Sequence, residues 1–146
     1  MPEPQNFKNH TRFDPGWHFF LVPLVMLNIV FAAADTVHHW PDHWLRYIWW
    51  VVMSIALFVA VGIARGHSMK VQDRVIRLEE RLRLAALLSP EENARCHALT
   101  VSQLIGLRFA SDDELPALAK RALDENLTGK QIKESINSWR PDYLRV

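Results

Sequence analysis

The chain has 146 residues, with 17 basic and 16 acidic side chains, a single domain's worth of sequence without the basic footprint that nucleic-acid binding needs. One cysteine, Cys96, excludes an intramolecular disulfide framework and any cysteine-based zinc cluster. The near-zero mean hydropathy averages two unlike halves: residues 15–64 carry only Asp35, Asp42 and Arg46 as formal charges, whereas residues 65–146 carry 26.

Residues 15–34 hold twenty positions without a charge, and residues 47–64 hold eighteen more. At about 1.5 Å per helical residue, each run measures roughly 27–30 Å, the thickness of a bilayer's hydrocarbon core. Trp17, Trp40, Trp44, Trp49, Trp50 and Tyr47 cluster at or near the run ends, as expected for rings at headgroup level. The sequence therefore predicts an all-α integral membrane protein with this order: a polar N-terminal segment (1–15), a first span (16–36), an outer loop (37–43), a second span (44–64), an amphipathic helix (65–88) and a helical tail (89–146). The loop is short, so the spans form an antiparallel hairpin. Lys8 and Arg12 precede the first span, Arg65, Lys70, Arg74, Arg77, Arg81 and Arg83 follow the second, and the loop contains no lysine. The positive-inside rule then places both termini in the cytoplasm. Phe31-Ala-Ala-Ala-Asp35 resembles a small-residue cleavage site. The length of the run, Pro23, Asn28 and the acidic Glu3 and Asp14 argue against cleavage.

Within the first span, Pro23 removes a backbone donor and predicts a kink near Phe19. Asn28 lies near mid-membrane and needs a polar partner on another helix. In the second span, Ala56, Ala60, Ala64 and Ser68 recur every four residues as a ridge of small side chains, and Gly62 and Gly66 add a GxxxG spacing. Such a ridge packs either the hairpin itself or another subunit.

Beyond Gly66 the pattern turns amphipathic. Val71, Val75, Leu78, Leu82 and Ala85 are spaced 4, 3, 4, 3, an a/d seam of about two heptads. It is expected to pack on the chain's own tail or on a neighbour in an assembly. Asp73 with Arg77 and Glu79 with Arg83 are candidate i,i+4 ion pairs. Four capping boxes punctuate the tail: Ser89-Pro-Glu-Glu92, Thr100-Val-Ser-Gln103, Ser111-Asp-Asp-Glu114 and Thr128-Gly-Lys-Gln131. They predict short helices over 90–98, 101–110, 112–126 and 129–139, lined by apolar residues such as Leu104, Phe109, Leu118, Ile132 and Trp139. Packing on the 71–88 helix would enlarge this small core.

The candidate chemistry is sparse. His38, His39 and His43 crowd the loop with Asp35 and Asp42 and form a candidate metal set, although no recognised ligand spacing is present. His18 and His67 lie at one membrane face by this topology and are candidate axial haem ligands. Cys96 and His97 are sequence neighbours that diverge by about 100° on a helix, so they are not a catalytic pair. No nucleophile elbow, phosphate loop or zinc-protease motif occurs, so neither enzymatic activity nor a cofactor is expected. Arg65, Lys70 and Arg74 are candidate contacts for anionic lipid. Residues 89–146 carry a net charge of −1, which disfavours nucleic acid as a partner.

The segments Gln5-Asn-Phe-Lys-Asn-His-Thr-Arg-Phe-Asp-Pro15, Trp17-His-Phe-Phe20, Ser102-Gln-Leu-Ile-Gly-Leu-Arg-Phe-Ala-Ser111 and Trp139-Arg-Pro-Asp-Tyr143 resemble a family of small two-span bacterial membrane proteins classed as a domain of unknown function. The resemblance covers nearly the whole chain. It implies the two-span plan and a bacterial inner membrane, and it transfers no catalytic residue. The expected function is that of a non-enzymatic accessory, scaffold or self-associating anchor subunit. Its partners are membrane lipids and either further copies or a larger membrane complex. The helix-packing interface is expected at Asn28, Ala56, Ala60, Ala64, Ser68, Val71, Val75, Leu78 and Leu82. The alternative is a membrane redox or metal- or haem-handling subunit built on the histidines.

Overall fold

The computed structural model describes residues 5–9 and 13–142. Arg12 of the basic N-terminal flank and Tyr143 of the closing motif lie outside the described residues. Among the described residues the fold is all-α, with six α-helices, no strand and one isolated bridge between Ala110 and Trp139. The chain forms two compact units, Arg12–Met69 and a second that combines Met1–Thr11 with Lys70–Val146.

In the first unit, a π-helical stretch Gly16–Leu21 leads into α1 (Val22–His38). The Val22 N–H donates to Trp17 O, five residues back. Pro23 has no N–H to give the Phe19 carbonyl, and the wider π turns fall immediately before it. The connection contains a cis Trp40–Pro41 peptide and turns at His43, whose φ is 51°. Helix α2 (Trp44–Leu87) then begins. The helical segments Gly16–His38 and Trp44–Leu87 are both long and apolar enough to cross a membrane. Little of either apolar stretch is buried inside the protein, unlike the core helix of a soluble fold.

His18, Leu21, Val25, Asn28 and Ala32, spaced by three or four residues, form the covered or half-covered stripe of the first helical segment. The matching positions on α2 are Tyr47, Val51, Ser54, Val61 and Arg65. Asn28 Nδ2 donates to Ser54 Oγ at 2.7 Å, and the Ser54 hydroxyl donates to Trp50 O at 2.8 Å. Asn28 therefore finds its polar partner on its own hairpin. Ala56, Ala60, Ala64 and Ser68 are all exposed, so of the two alternatives for this ridge, packing of the hairpin itself is not the one seen. The stripe that packs the hairpin is the one carrying Ser54, whose hydroxyl can pair with Asn28 where alanine cannot.

The second unit contains the rest of α2 together with α3 (Pro90–Cys96), α4 (Val101–Leu107), α5 (Leu115–Asp124) and α6 (Gly129–Ser135). Ile76, Glu80 and Leu84 recur every four residues and are buried, with Leu84 joining a core of Leu99, Leu104, Leu107, Phe109, Leu115, Leu118, Ile132 and Ile136. Three of the four expected capping boxes form, at Ser89/Glu92, Thr100/Gln103 and Thr128/Gln131. The fourth does not. Helix α5 starts at Leu115 with no side-chain cap, because the Glu114 carboxylate instead accepts from the Asn137 N–H, the Asn137 side chain and the Ser138 N–H. The last predicted helix also stops short, at Ser135. Ile136 is extended, and Trp139 bridges to Ala110 as Arg140 N donates to Phe109 O at 2.7 Å. Trp139 packs its ring 5.2 Å from that of Phe109.

Helices α4 and α6 cross at two glycines. A Cβ on Gly129 would stand 2.6 Å from Ser102 O, and one on Gly106 would stand 3.0 Å from Gly129 O. This backbone-to-backbone approach leaves no room for a side chain at Gly129. Gln103 fixes α4 as well, since its Nε2 donates to Ala122 O and Leu127 O at 3.2 and 3.0 Å.

Candidate functional site

The 70–87 part of α2 has two stripes of opposite character. One is the buried Ile76–Glu80–Leu84 row that the tail covers. The other is the heptad seam, where Val71, Val75, Leu78 and Leu82 remain 60%, 48%, 60% and 63% exposed. At 100° per residue, the two stripes centre about 180° apart on the helix. The seam therefore does not pack on the chain's own tail, which corrects that half of the expectation. The tail chose the other row because Glu80 brings an acceptor for arginines, and Leu84 fills the core.

An ion network holds the tail on that row. Arg83 donates from Nη1 to Glu80 Oε2 at 3.2 Å and from Nη2 to Ala110 O at 2.6 Å, and its Nε bonds Asp112. Arg140 Nη1 lies 3.9 Å from Glu80 Oε1, and Arg108 pairs with Asp142 at 3.4 Å. The expected Glu79–Arg83 pair is displaced by these contacts, because Arg83 turns toward the tail. Asp73 and Arg77 form no ion pair among the described residues. Burial pushes the Glu80 carboxyl above its ordinary range, against the pull of Arg83 and Arg140. Gln5 and Asp142 exchange hydrogen bonds at 2.9 and 3.2 Å, which ties the N-terminal segment to the tail.

Sequence reasoning missed Glu80 and Ser54. Each had a legible signal: Glu80 falls within the four-residue row of Ile76 and Leu84, and Ser54 is a hydroxyl in the middle of an apolar run, the natural mate for Asn28.

The loop histidines have different surroundings. His39 stacks on Tyr47 at 4.9 Å and contacts Asp35, with Nδ1 3.0 Å from the Asp35 carbonyl. His38 meets the His39 ring edge-on at 5.0 Å. His43 sits in the turn. Among the described residues, no three His, Cys, Asp or Glu side chains converge in a group able to hold a metal ion. His18 contacts the Asp14 carbonyl through Nδ1 at 2.9 Å and packs against Phe13 and Trp17. His67 is exposed, and no contact joins it to His18 among the described residues. Arg65 has Nη1 3.8 Å from Asp14 Oδ2 and its guanidinium 5.4 Å from the Trp17 ring centroid. Lys70 and Arg74 are exposed. Cys96 is buried, and burial raises its thiol pKa, so little reactive thiolate is present.

The described residues thus define an all-α protein with two membrane-length helices and a capped helical module. The chain belongs to the Family of unknown function (DUF6526), whose model matches residues 1–146. No curated protein and no solved structure matches the chain.

Proposed function

We propose that this is a two-span protein of the bacterial inner membrane that acts without catalysis, as a scaffold or anchor subunit, through helix packing. The observation that carries the reading is the bare seam on α2, an apolar helix face that its own tail leaves open beside a folded module. Two bare apolar helical segments of spanning length support the membrane location. The internal Asn28–Ser54 bond suits a hairpin in lipid, where an unmet amide is costly. Both termini face the cytoplasm in this reading, because lysine and arginine flank the spans and lysine is absent from the loop. The exposed Ala56–Ala60–Ala64–Ser68 ridge gives other helices a close approach within the bilayer.

The test is fractionation followed by a native mass spectrum of the full-length protein in mild detergent. The expected result is resistance to alkaline carbonate extraction and a mass of integer copies or of copies plus a partner. Ala60→Leu should shift that distribution toward smaller species. A protein that carbonate releases, or a bare monomer at every concentration, refutes the reading.

A further inference from the structure

The exposed face of the 70–87 helix has a definite register. Val75 and Leu82 occupy one core position of a heptad, and Val71, Leu78 and Ala85 occupy the other. Arg74 and Glu79 flank this seam on its two sides, five residues apart, both exposed. Neither forms an ion pair among the described residues. In a parallel two-stranded coiled coil, these are the positions that face each other across the interface, one from each chain.

We propose that a second copy of this chain covers this face, as a parallel, in-register coiled coil over residues 71–85 in which Arg74 of each copy pairs with Glu79 of the other. The tail is not the occupant, because it is committed to the Ile76–Glu80–Leu84 row on the opposite side. The charges choose the orientation. A parallel pair sets Arg74 against Glu79 twice, whereas an antiparallel pair sets like positions, and so like charges, against each other. Val75 and Leu78, a β-branched residue at a followed by leucine at d, suit two strands at the centre of the seam, and none of its five residues is polar.

For its register the inference rests on the membrane reading above. Two copies inserted in the same sense send α2 out of the bilayer at the same depth, so each residue is level with its equivalent. Two heptads are short for a coiled coil free in solution. Confinement in one membrane raises the effective concentration of the second strand and makes up for that shortness.

The test uses the full-length chain in proteoliposomes. Leu78→Cys is oxidised with copper phenanthroline and resolved without reductant. The buried Cys96 remains in place, and the unsubstituted chain serves as its control. Leu78→Cys, or Val75→Cys should Leu78→Cys misfold, is expected to form a disulfide dimer of twice the chain mass. Arg77→Cys, about 120° around the helix from the seam centre, is expected to stay monomeric. In the Leu78→Cys background, Arg74→Glu or Glu79→Arg should slow cross-linking by roughly threefold, as expected for an exposed ion pair. The double exchange Arg74→Glu with Glu79→Arg should restore the rate. Absence of the dimer at both cysteine positions, equal cross-linking at Arg77→Cys, or a double exchange as slow as the single ones overturns the proposal. Carbonate extraction of the same vesicles separates the two readings. Release with cross-linking intact leaves the seam standing and removes the membrane anchor, and retention without cross-linking does the reverse.

Discussion

Replacing Gly129 with alanine tests the crossing of α4 and α6 in the second unit. The new methyl would lie 2.6 Å from the Ser102 carbonyl oxygen and 3.0 Å from its hydroxyl, so α4 and α6 must separate. Ser102 has little freedom to retreat. The Thr100/Gln103 capping box fixes the start of α4, and Gln103 also bridges Ala122 O and Leu127 O. Overpacking of this kind costs about 1–3 kcal/mol. The usual gain from Gly to Ala, about 1 kcal/mol inside a helix, is smaller at Gly129 because it is the first residue of α6. The net loss should fall near 1–2 kcal/mol, which for a unit of this size lowers the unfolding midpoint by roughly 5–15 °C. Gly106→Ala is the graded comparison. Its methyl would sit 3.0–3.2 Å from its neighbours, and it lies late in α4, so strain and helix propensity of about 1 kcal/mol each nearly cancel. Gly62→Ala meets nothing within 4 Å and lies inside α2, so its helix-propensity gain of about 1 kcal/mol is unopposed and it should not lower the midpoint. Thermal unfolding in detergent, followed by far-UV circular dichroism, reads all three. A Gly129→Ala protein as stable as the unsubstituted chain would refute the crossing geometry.

Other substitutions probe the remaining contacts. Thr100→Ala should cost about 1 kcal/mol through a lost N-cap, whereas Ser111→Ala should change stability by under about 0.5 kcal/mol because its capping box does not form. Equal effects on the unfolding midpoint would contradict that difference. Asn28→Ala and Ser54→Ala should each weaken the hairpin by roughly 0.6–1.7 kcal/mol, and the double variant by little more than either single one. A double-mutant cycle of denaturation in mixed micelles measures this, and additive losses would count against a direct bond. Glu80 has a raised pKa because burial disfavours its charged form, so the folded chain holds the proton more tightly than the unfolded one. Its contribution to stability is greatest below the unfolded value and is lost as pH rises through the folded value. Unfolding midpoints of the unsubstituted chain should therefore fall as pH rises from the ordinary carboxylate range, and Glu80→Gln should flatten that slope. A slope unchanged by Glu80→Gln would assign it to other groups.

Local chemistry in the sequence determined much of this protein. Two uncharged runs set two helices of membrane length, because length and hydropathy need no tertiary information. The Ser89, Thr100 and Thr128 boxes placed three helix starts, because capping uses atoms only three residues apart. Pro23 marked its own irregularity, and Asn28 announced that it needed a partner. The tertiary structure decided where the choice lay between faces. The 71–85 heptad and the 76–84 row are both apolar enough to pack, and only the arrival of Ala110, Asp112 and Arg140 beside Glu80 and Arg83 settled which one the tail covers. The same holds for the hairpin, where a ridge of alanines was open to either the hairpin or another subunit, and Ser54 on a different stripe is the residue that reaches Asn28. It holds again for Glu114, which reads locally as a cap and instead accepts N–H bonds from Asn137 and Ser138, more than twenty residues away. Periodicity reveals which faces a helix has to offer, and the energies of distant polar partners decide which face is used.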